Sequence, residues 1–482
     1  MIDEMADEEL LTFDEALQTL GTSRPTLYRL LSQGDVKGLK VGKQWRFRRA
    51  DLQAYMQRGP VEISAAPVVD IDAELATFES DVDADATVSD KALELARRIV
   101  EAGIDRRASD IHIEPTYLDG VSVWWLRYRI DGVLQEVRRM PISLQDMLTA
   151  QFKTMADMNV GEKRVPQDGR FRLVRGEKEF DIKMSTCITQ YGEGIVLRIL
   201  DKRNIKLGLE RVGPSGEALV QLRELINQPN GVILFTGPSG SGKTTTLYNC
   251  LAEIASPQRK TMTIEDPVGL SLPYVTSCSI NPRLGVTYPT ALRAFMRQDP
   301  DVIFIGECRD LETLEMALEA SLTGHLVLTQ LHTNDAPSAI TRLMDIGIEP
   351  YLIAASVTGV LSQRLCRKIC PDCRESYEVD ASILERFGWQ PGRAGETITL
   401  YRGAGCEECR GRGFKGRVGL FELMKVTAEV GDLIVHRAPV SEIRKAAKSA
   451  GMRDIREDGL DKVLAGITTP DEVMRVVFTA ST

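Results

Sequence analysis

The chain has 482 residues, 43% of them hydrophobic and 27% charged, and a formal net charge of −9. That length exceeds what one hydrophobic core serves, so several domains are expected, and the composition is that of an ordinary soluble protein. The acidic start MIDEMADEEL has no apolar core, which argues against a signal peptide. The longest apolar-leaning run, Tyr351 to Leu361, falls well short of the roughly 20 residues that a membrane-spanning helix needs, so a cytoplasmic location is expected.

A compact basic unit comes first. Thr12 and Glu15 form a capping box ahead of a helix that Gly21 ends. Ser23 caps a second helix running through Leu31, Gly34-Asp35 turns the chain, and residues 36–47 read as a two-stranded wing. A last helix spans about Asp51 to Gln57. From Arg24 to Arg58 there are nine Lys or Arg and only two acids. The spacing of SRPTLYRLL and VGKQWRFRRADLQAYM resembles the excisionase-type winged helix-turn-helix, over residues 1–59. The resemblance implies that Arg24, Thr26, Tyr28 and Arg29 face a major groove of duplex DNA while Lys43, Arg46 and Arg48 reach phosphates. A module that docks on a protein partner is the other reading. Residues 60–90 carry nine acids and no Lys or Arg, matching the whole charge excess, and read as a flexible acidic linker or a docking peptide.

Residues 91–203 read as a mixed α/β domain without an enzyme motif of its own. Ala92, Leu95, Ala96, Ile99 and Val100 line one helix face. ASDIHIEP alternates as a half-buried strand does, and VSVWWLRYRIDGVLQEV is two strand runs joined by Asp131-Gly132, a hairpin signal. A helical stretch reaching Met158 precedes the strand-like VPQDGRFRLV, DIKMST and GIVLRIL.

The phosphate-site motif follows. The apolar run Val232-Ile-Leu-Phe-Thr leads into Gly237-Pro238-Ser239-Gly240-Ser241-Gly242-Lys243-Thr244, and Thr245 continues an opening helix. This is GxxxxGK[ST] in its strand–loop–helix setting: the glycines let backbone N–H groups point at phosphate oxygens, and the helix start adds positive potential. Lys243 can bridge the β- and γ-phosphates of ATP and Thr244 can ligate Mg²⁺. Further on, TMTIEDP delivers Glu265 and Asp266. DVIFIGECRD runs four apolar residues into Gly306, where an acid is expected, with Glu307 one place later. His325 and His332 flank an apolar strand. All of these can lie at the carboxyl edge of one parallel sheet.

Four of the nine cysteines form two C-x-x-C pairs, Cys370/Cys373 and Cys406/Cys409. Among surrounding glycines they read as a closed four-thiolate Zn²⁺ site, with a redox pair or an empty site as the alternative. A helical tail closes the chain.

GPSGSGKTTTLY, TIEDPV, LRAFMRQDPDVIFIGECRD and TGHLVLTQLHTNDAPSAITRLMDIGIEPYLIAAS resemble the type II secretion and type IV pilus assembly ATPases. ASDIHIEP, RYRIDGVL, VPQDGR and VLRILDK resemble that family's N-terminal domain. The likeness runs from about residue 90 to beyond 425. It implies an α/β fold with a RecA-like P-loop ATPase core over 204–365, the preceding α/β domain over 91–203, a four-cysteine zinc insertion over 366–425 and a helical region over 426–482. In such proteins the Walker B strand ends in Gly-Glu, so Glu307 is the working acid and Glu265 of the aspartate box is the second. Which of the two activates water stays open. His332 matches the family's histidine box and would sense or position the γ-phosphate, or else be structural. Arg198 and the position of Lys183 are implied to reach a nucleotide across a domain or subunit boundary, with Arg293, Arg297 and Arg309 as candidates within the core. Lys183 and Gln330 depart from the family pattern, which has Arg and a small hydroxyl residue there.

The resemblance further implies a homo-hexamer passing motion to an inner-membrane platform protein, for pilus assembly or protein secretion, from the cytoplasmic side. The DNA-reader-like front end stands where such proteins more often carry a platform-docking domain. A DNA-directed ATPase is therefore the alternative.

Overall fold

The computed structural model describes residues 10–20, 39–41, 44–49, 88–175, 178–201, 208–308, 310–388 and 395–478. The chain divides into two compact units, one comprising residues 1–70 with 173–179 and the other comprising 71–172 with 180–482.

In the first unit the capping box is present: Thr12 N–H and hydroxyl both donate to Glu15 Oε2, at 2.7 and 2.8 Å, and Glu15 N–H returns to Thr12 Oγ1 at 3.3 Å. The helix Phe13–Leu20 follows. The expected wing is an antiparallel pair, β2 (Leu39–Val41) with β3 (Gln44–Arg48). A further strand, β1 (Leu10–Thr12), pairs with β3 and was not legible, because three residues carry no period. Leu11, Ala16 and Phe47 are buried, and Phe13 meets Phe47 edge-on at 5.9 Å. The second expected helix, with Arg24, Thr26, Tyr28 and Arg29, lies outside the described residues, as do Lys43, the last expected helix and residues 60–87 of the linker.

The second unit opens with the helix Val88–Asp105, which takes in the final three residues read as linker. Its face Ala92, Leu95, Ala96, Ile99 and Val100 is buried, as the period required. Six strands form the sheet: β4 (Ala108–Leu118), β5 (Val121–Ile130), β6 (Val133–Pro141), β7 (Gln167–Arg175), β8 (Lys178–Thr189) and β9 (Gly192–Asp201), in the order β6-β5-β4-β9-β8-β7. Asp131 at φ 50° and Gly132 at φ 87° make the tight turn between β5 and β6, since both central positions of that hairpin need positive φ. Tyr128 Oη donates to Ile99 O at 2.7 Å and pins the helix to the sheet.

The core is a seven-stranded sheet ordered β12-β11-β13-β14-β10-β15-β18. Its members are β10 (Gly231–Thr236), β11 (Thr261–Glu265), β12 (Val275–Ser279), β13 (Val302–Ile305), β14 (Leu326–Leu331), β15 (Val357–Ile369) and β18 (Phe414–Lys425). All neighbours run parallel except β15 and β18. Because helices cover both faces, β10, β11, β13 and β14 are buried throughout, and β10 and β13 read as continuous apolar runs. One face carries Leu222, Leu225, Leu247 and Leu251, and the other carries Leu292, Leu314, Ile340, Val430 and Ile443.

The four-cysteine segment enters this sheet differently from the sequence reading. A boundary at 366 cuts through β15, and β18 belongs to the core sheet up to Lys425, so the insertion proper is what lies between two neighbouring strands. It contains the hairpin β16 (Arg374–Asp380) and β17 (Thr397–Gly403). Cys366 is buried with Leu384, Leu400 and Val418 against the last two helices, Ile455–Leu464 and Pro470–Phe478. Among the described residues, no helix is long and apolar enough to cross a membrane.

Candidate functional site

The parallel register brings the motifs to one edge. Ile264 stands beside Ile305, Ile305 beside Thr329, and Leu331 beside Thr236. Glu265, the pair Gly306-Glu307, His332 and the loop 237–242 therefore leave four adjacent strands at the same level. His325 does not join them. It precedes β14 at the opposite edge, where its Nδ1 lies 2.7 Å from Ala320 O.

The loop has the backbone that its glycines promise. Gly237 sits at φ 144°, and a Cβ there would stand 2.4 Å from Gln363 O. Gly242, at φ 92°, is the left-handed residue before the helix Lys243–Ile254, and a Cβ would come within 2.7 Å of Gln363 Nε2. Both positions thus exclude side chains. Ser241 Oγ is buried without a hydrogen-bond partner among the described residues, which fits a loop built to surround an oxygen-rich group. Lys243 Nζ donates to Gly237 O at 2.7 Å and Pro238 O at 3.1 Å. Burial lowers its pKa to about 8 against the opposing pull of Glu307, with Arg364 adding to the lowering. Pro238, Ser239 and Gly240 are exposed on the outer rim. Thr244 is also exposed, and Gln330 Nε2 donates to its Oγ1 at 3.4 Å. The glutamine that departs from the family pattern thus touches the residue expected to face magnesium. Thr245 O accepts from Asn249 Nδ2 at 2.7 Å.

The two glutamates differ in setting. Glu265 is buried, and its oxygens accept from Tyr248 Oη at 2.5 Å and Thr263 Oγ1 at 2.7 Å. Burial lifts its pKa above the ordinary carboxylate range, opposed by those bonds. Glu307 is more open, and His332 Nε2 lies 2.9 Å from its Oε1. Gly306 stands where an acid was expected. A Cβ there would come 3.1 Å from Ile264 O and 3.3 Å from Glu265 Cα, a tight fit against the backbone that brings in Glu265.

Of the expected arginines, Arg198 Nε donates to Asp110 Oδ1 at 2.8 Å, within its own sheet. Its cross-strand neighbour Lys183 is the cation that reaches the core, with Nζ 3.5 Å from Asp266 O. Burial lowers the Lys183 pKa while Asp266 pulls it back. Arg293 pairs with Glu312, and Arg297 donates to Arg293 O at 2.9 Å. Arg309 lies outside the described residues.

Three residues escaped the sequence reading. Gln363 Oε1 accepts from Thr246 Oγ1 at 2.7 Å and its carbonyl walls the loop. Arg364, buried in β15, has Nη1 3.3 Å from where a Gly237 Cβ would stand. Tyr248 joins the loop's helix to Glu265 and accepts the N–H groups of Gly269 and Leu270 at 3.0 Å. For the first two, the polar pair Gln363-Arg364 inside the apolar run SVTGVLSQRLC was the available signal.

At the second site the four sulfurs close up. Cys370 to Cys406 is 3.9 Å, Cys373 to Cys409 is 3.8 Å and Cys406 to Cys409 is 3.7 Å. A tetrahedron with metal–sulfur bonds of about 2.3 Å has edges of about 3.8 Å. Backbone N–H groups of Gly405, Cys406 and Gly413 each point at a sulfur from 3.2 Å, which favours thiolate. The donor set fits a four-coordinate metal.

The family model described as type II/IV secretion system protein matches residues 86–475, and a helix-turn-helix domain model matches residues 10–60. The chain belongs to this family of secretion ATPases. It is 40% identical over 439 residues to the type IV pilus assembly ATPase PilB of Myxococcus xanthus, covering 90% of this chain and 77% of that protein. It is 44% identical over 384 residues to the type II secretion system ATPase E of Vibrio cholerae, covering 80% and 75%. Among solved structures, the ATPase DotB of Legionella pneumophila matches with a TM-score of 0.56 at 21% identity, over 80% of this chain and 95% of that one. That likeness concerns the fold.

Tyr248→Phe removes a bond that favours ionised Glu265, so the Glu265 pKa rises further. The acid limb of the ATPase rate profile is expected to move to higher pH, measured as kcat against pH for the two proteins.

Proposed function

We propose that the chain is the ATP-hydrolysing hexameric motor of a type IV pilus assembly or type II secretion machine, working from the cytoplasmic side at an inner-membrane platform. What supports this most is the convergence of the 237–244 loop, Glu265, Glu307 and His332 at one sheet edge in a chain of the secretion ATPase family. In this reading the loop's N–H groups and Lys243 hold the phosphates, and Thr244 holds Mg²⁺, which screens phosphate charge when bound. Glu265 and Glu307 share the tasks of accepting water's proton and ordering the metal's water shell. His332, steered by Glu307, faces the γ-phosphate. Lys183 and Arg198 place positive charge from the preceding domain where a neighbouring subunit or a closed form can use it.

Lys243→Ala and Glu307→Gln are each expected to lower kcat by about a hundredfold or more in the assembled protein. Phosphate release measured on purified oligomer checks this, and unchanged turnover in both variants would overturn the site.

Cys370, Cys373, Cys406 and Cys409 would hold a structural Zn²⁺, supplying cross-links to a segment with a small apolar core. Cys406→Ser is expected to lower zinc content, measured by metal analysis, and to lower the melting temperature. A full-strength zinc signal in that variant would sink the assignment.

One observation favours a second partner: the helix-turn-helix match over residues 10–60. In this reading the front module binds duplex DNA. Full-length protein is expected to bind DNA with steep salt dependence, lost when Arg24, Arg29 and Arg46 are neutralised together. Binding that ignores both salt and those changes leaves a protein-docking module.

A further inference from the structure

His332 begins a short segment, 332–335, that no element of its own holds in place. It is fixed from outside. At its start Thr333 N–H donates to Thr236 Oγ1 at 2.8 Å, at the end of the strand that leads into the phosphate loop. In its middle Asn334 O accepts from Arg364 Nη2 at 2.7 Å. At its end Asp335 Oδ1 caps the helix Ala336–Ile346 through Ser338 N–H at 2.8 Å, and Ala336 N–H donates to buried Glu422 Oε1 at 2.7 Å.

Two carboxylates, Asp335 and Glu422, therefore flank one helix start. The cation between them comes from far along the chain. Arg444 on the helix Val440–Ser449 has Nη2 2.9 Å from Asp335 Oδ2 and Nη1 3.9 Å from Glu422 Oε2. Burial lifts the Glu422 pKa to about 7, opposed by the Ala336 N–H, with Asp335 raising it and Arg444 lowering it. The helix itself is anchored, since Ile443, Ala446 and Ala447 are buried in the same cluster as Ala339, Ile340 and Leu343. Arg444 thus sits on a rigid support with its fork closed on the segment's far end.

We propose that Arg444 is a positioning residue for ATP hydrolysis: through Asp335 and Glu422 it fixes the segment that presents His332 to Glu307, so that the C-terminal helices bear on the rate of the chemical step. The proposal rests on the reading of His332 given above. It assigns the C-terminal region a part in catalysis without contact with nucleotide.

Steady-state ATPase of the full-length assembled protein tests it. Arg444→Ala is expected to lower kcat on the order of tenfold to a hundredfold, the scale set by small misplacements of a reacting group, with KM unchanged. Arg444→Lys restores part of the rate, and Lys445→Ala, exposed on the same helix, keeps the wild-type rate. Asp335→Asn keeps the helix cap but loses the charge, so it slows turnover with little change in melting temperature and carries the test if Arg444→Ala does not fold. The deciding readout is a cycle with His332→Ala: the double variant R444A/H332A is no slower than H332A alone, because one residue acts through the other. A wild-type kcat in R444A and D335N, or losses that add in full with H332A, overturns the proposal while leaving His332 in its role. A wild-type rate in H332A itself overturns the reading of His332, and this inference with it.

Discussion

The parallel pairing of β11, β13, β14 and β10 is the constraint on which the rest depends. Each strand is short and buried on both sides, and each ends in a residue of the site or runs directly into one. A shift of one residue in any pairing would turn a side chain to the other face and retract it from the common edge. Apolar packing on both faces forbids that shift. The chemistry is therefore placed by the core, and the polar groups need only be carried to the ends of strands that the hydrophobic effect has already aligned.

Within that frame the two carboxylates are not interchangeable. Glu265 is enclosed and held by two hydroxyls, while Glu307 is half-buried beside an imidazole. Gly306 lies close against the strand that delivers Glu265, where a Cβ would pack tightly on the backbone of Ile264 and Glu265. Charge is managed around both. Lys243 and Arg364 lie near the loop with their pKa values lowered by burial, and Glu307, Asp335 and Glu422 pull the other way.

Much of this was legible in advance. The glycine-rich loop, Glu307 after an apolar run, the paired acids of TMTIEDP, the Asp131-Gly132 hairpin and the two cysteine pairs each announce themselves through local chemistry that tertiary context does not alter. What stayed hidden was carried by distance. Arg444 meets Asp335 across more than a hundred residues, Tyr248 meets Glu265 across a helix and a strand, and nothing in their own neighbourhoods marks them. The edge on which His325 falls follows from chain direction, since a residue that precedes a parallel strand lies at its amino edge and one that follows it, as His332 does, lies at the carboxyl edge. The boundary drawn at Cys366 failed because β15 mixes polar residues into an apolar run, which disguised a core strand as the start of the insertion.

The placing of that insertion has a consequence for how such a chain can change. It fills the connection between β15 and β18, which are already antiparallel neighbours, and a connection of that kind can be as short as two residues without disturbing the ladder. The cysteine module is thus a graft, removable from the sheet without rethreading a single strand. It is not free of obligations, because Leu384, Phe387 and Leu400 roof the apolar side of the last two helices. A lineage that trimmed the module would have to remake that roof or give up those helices as well.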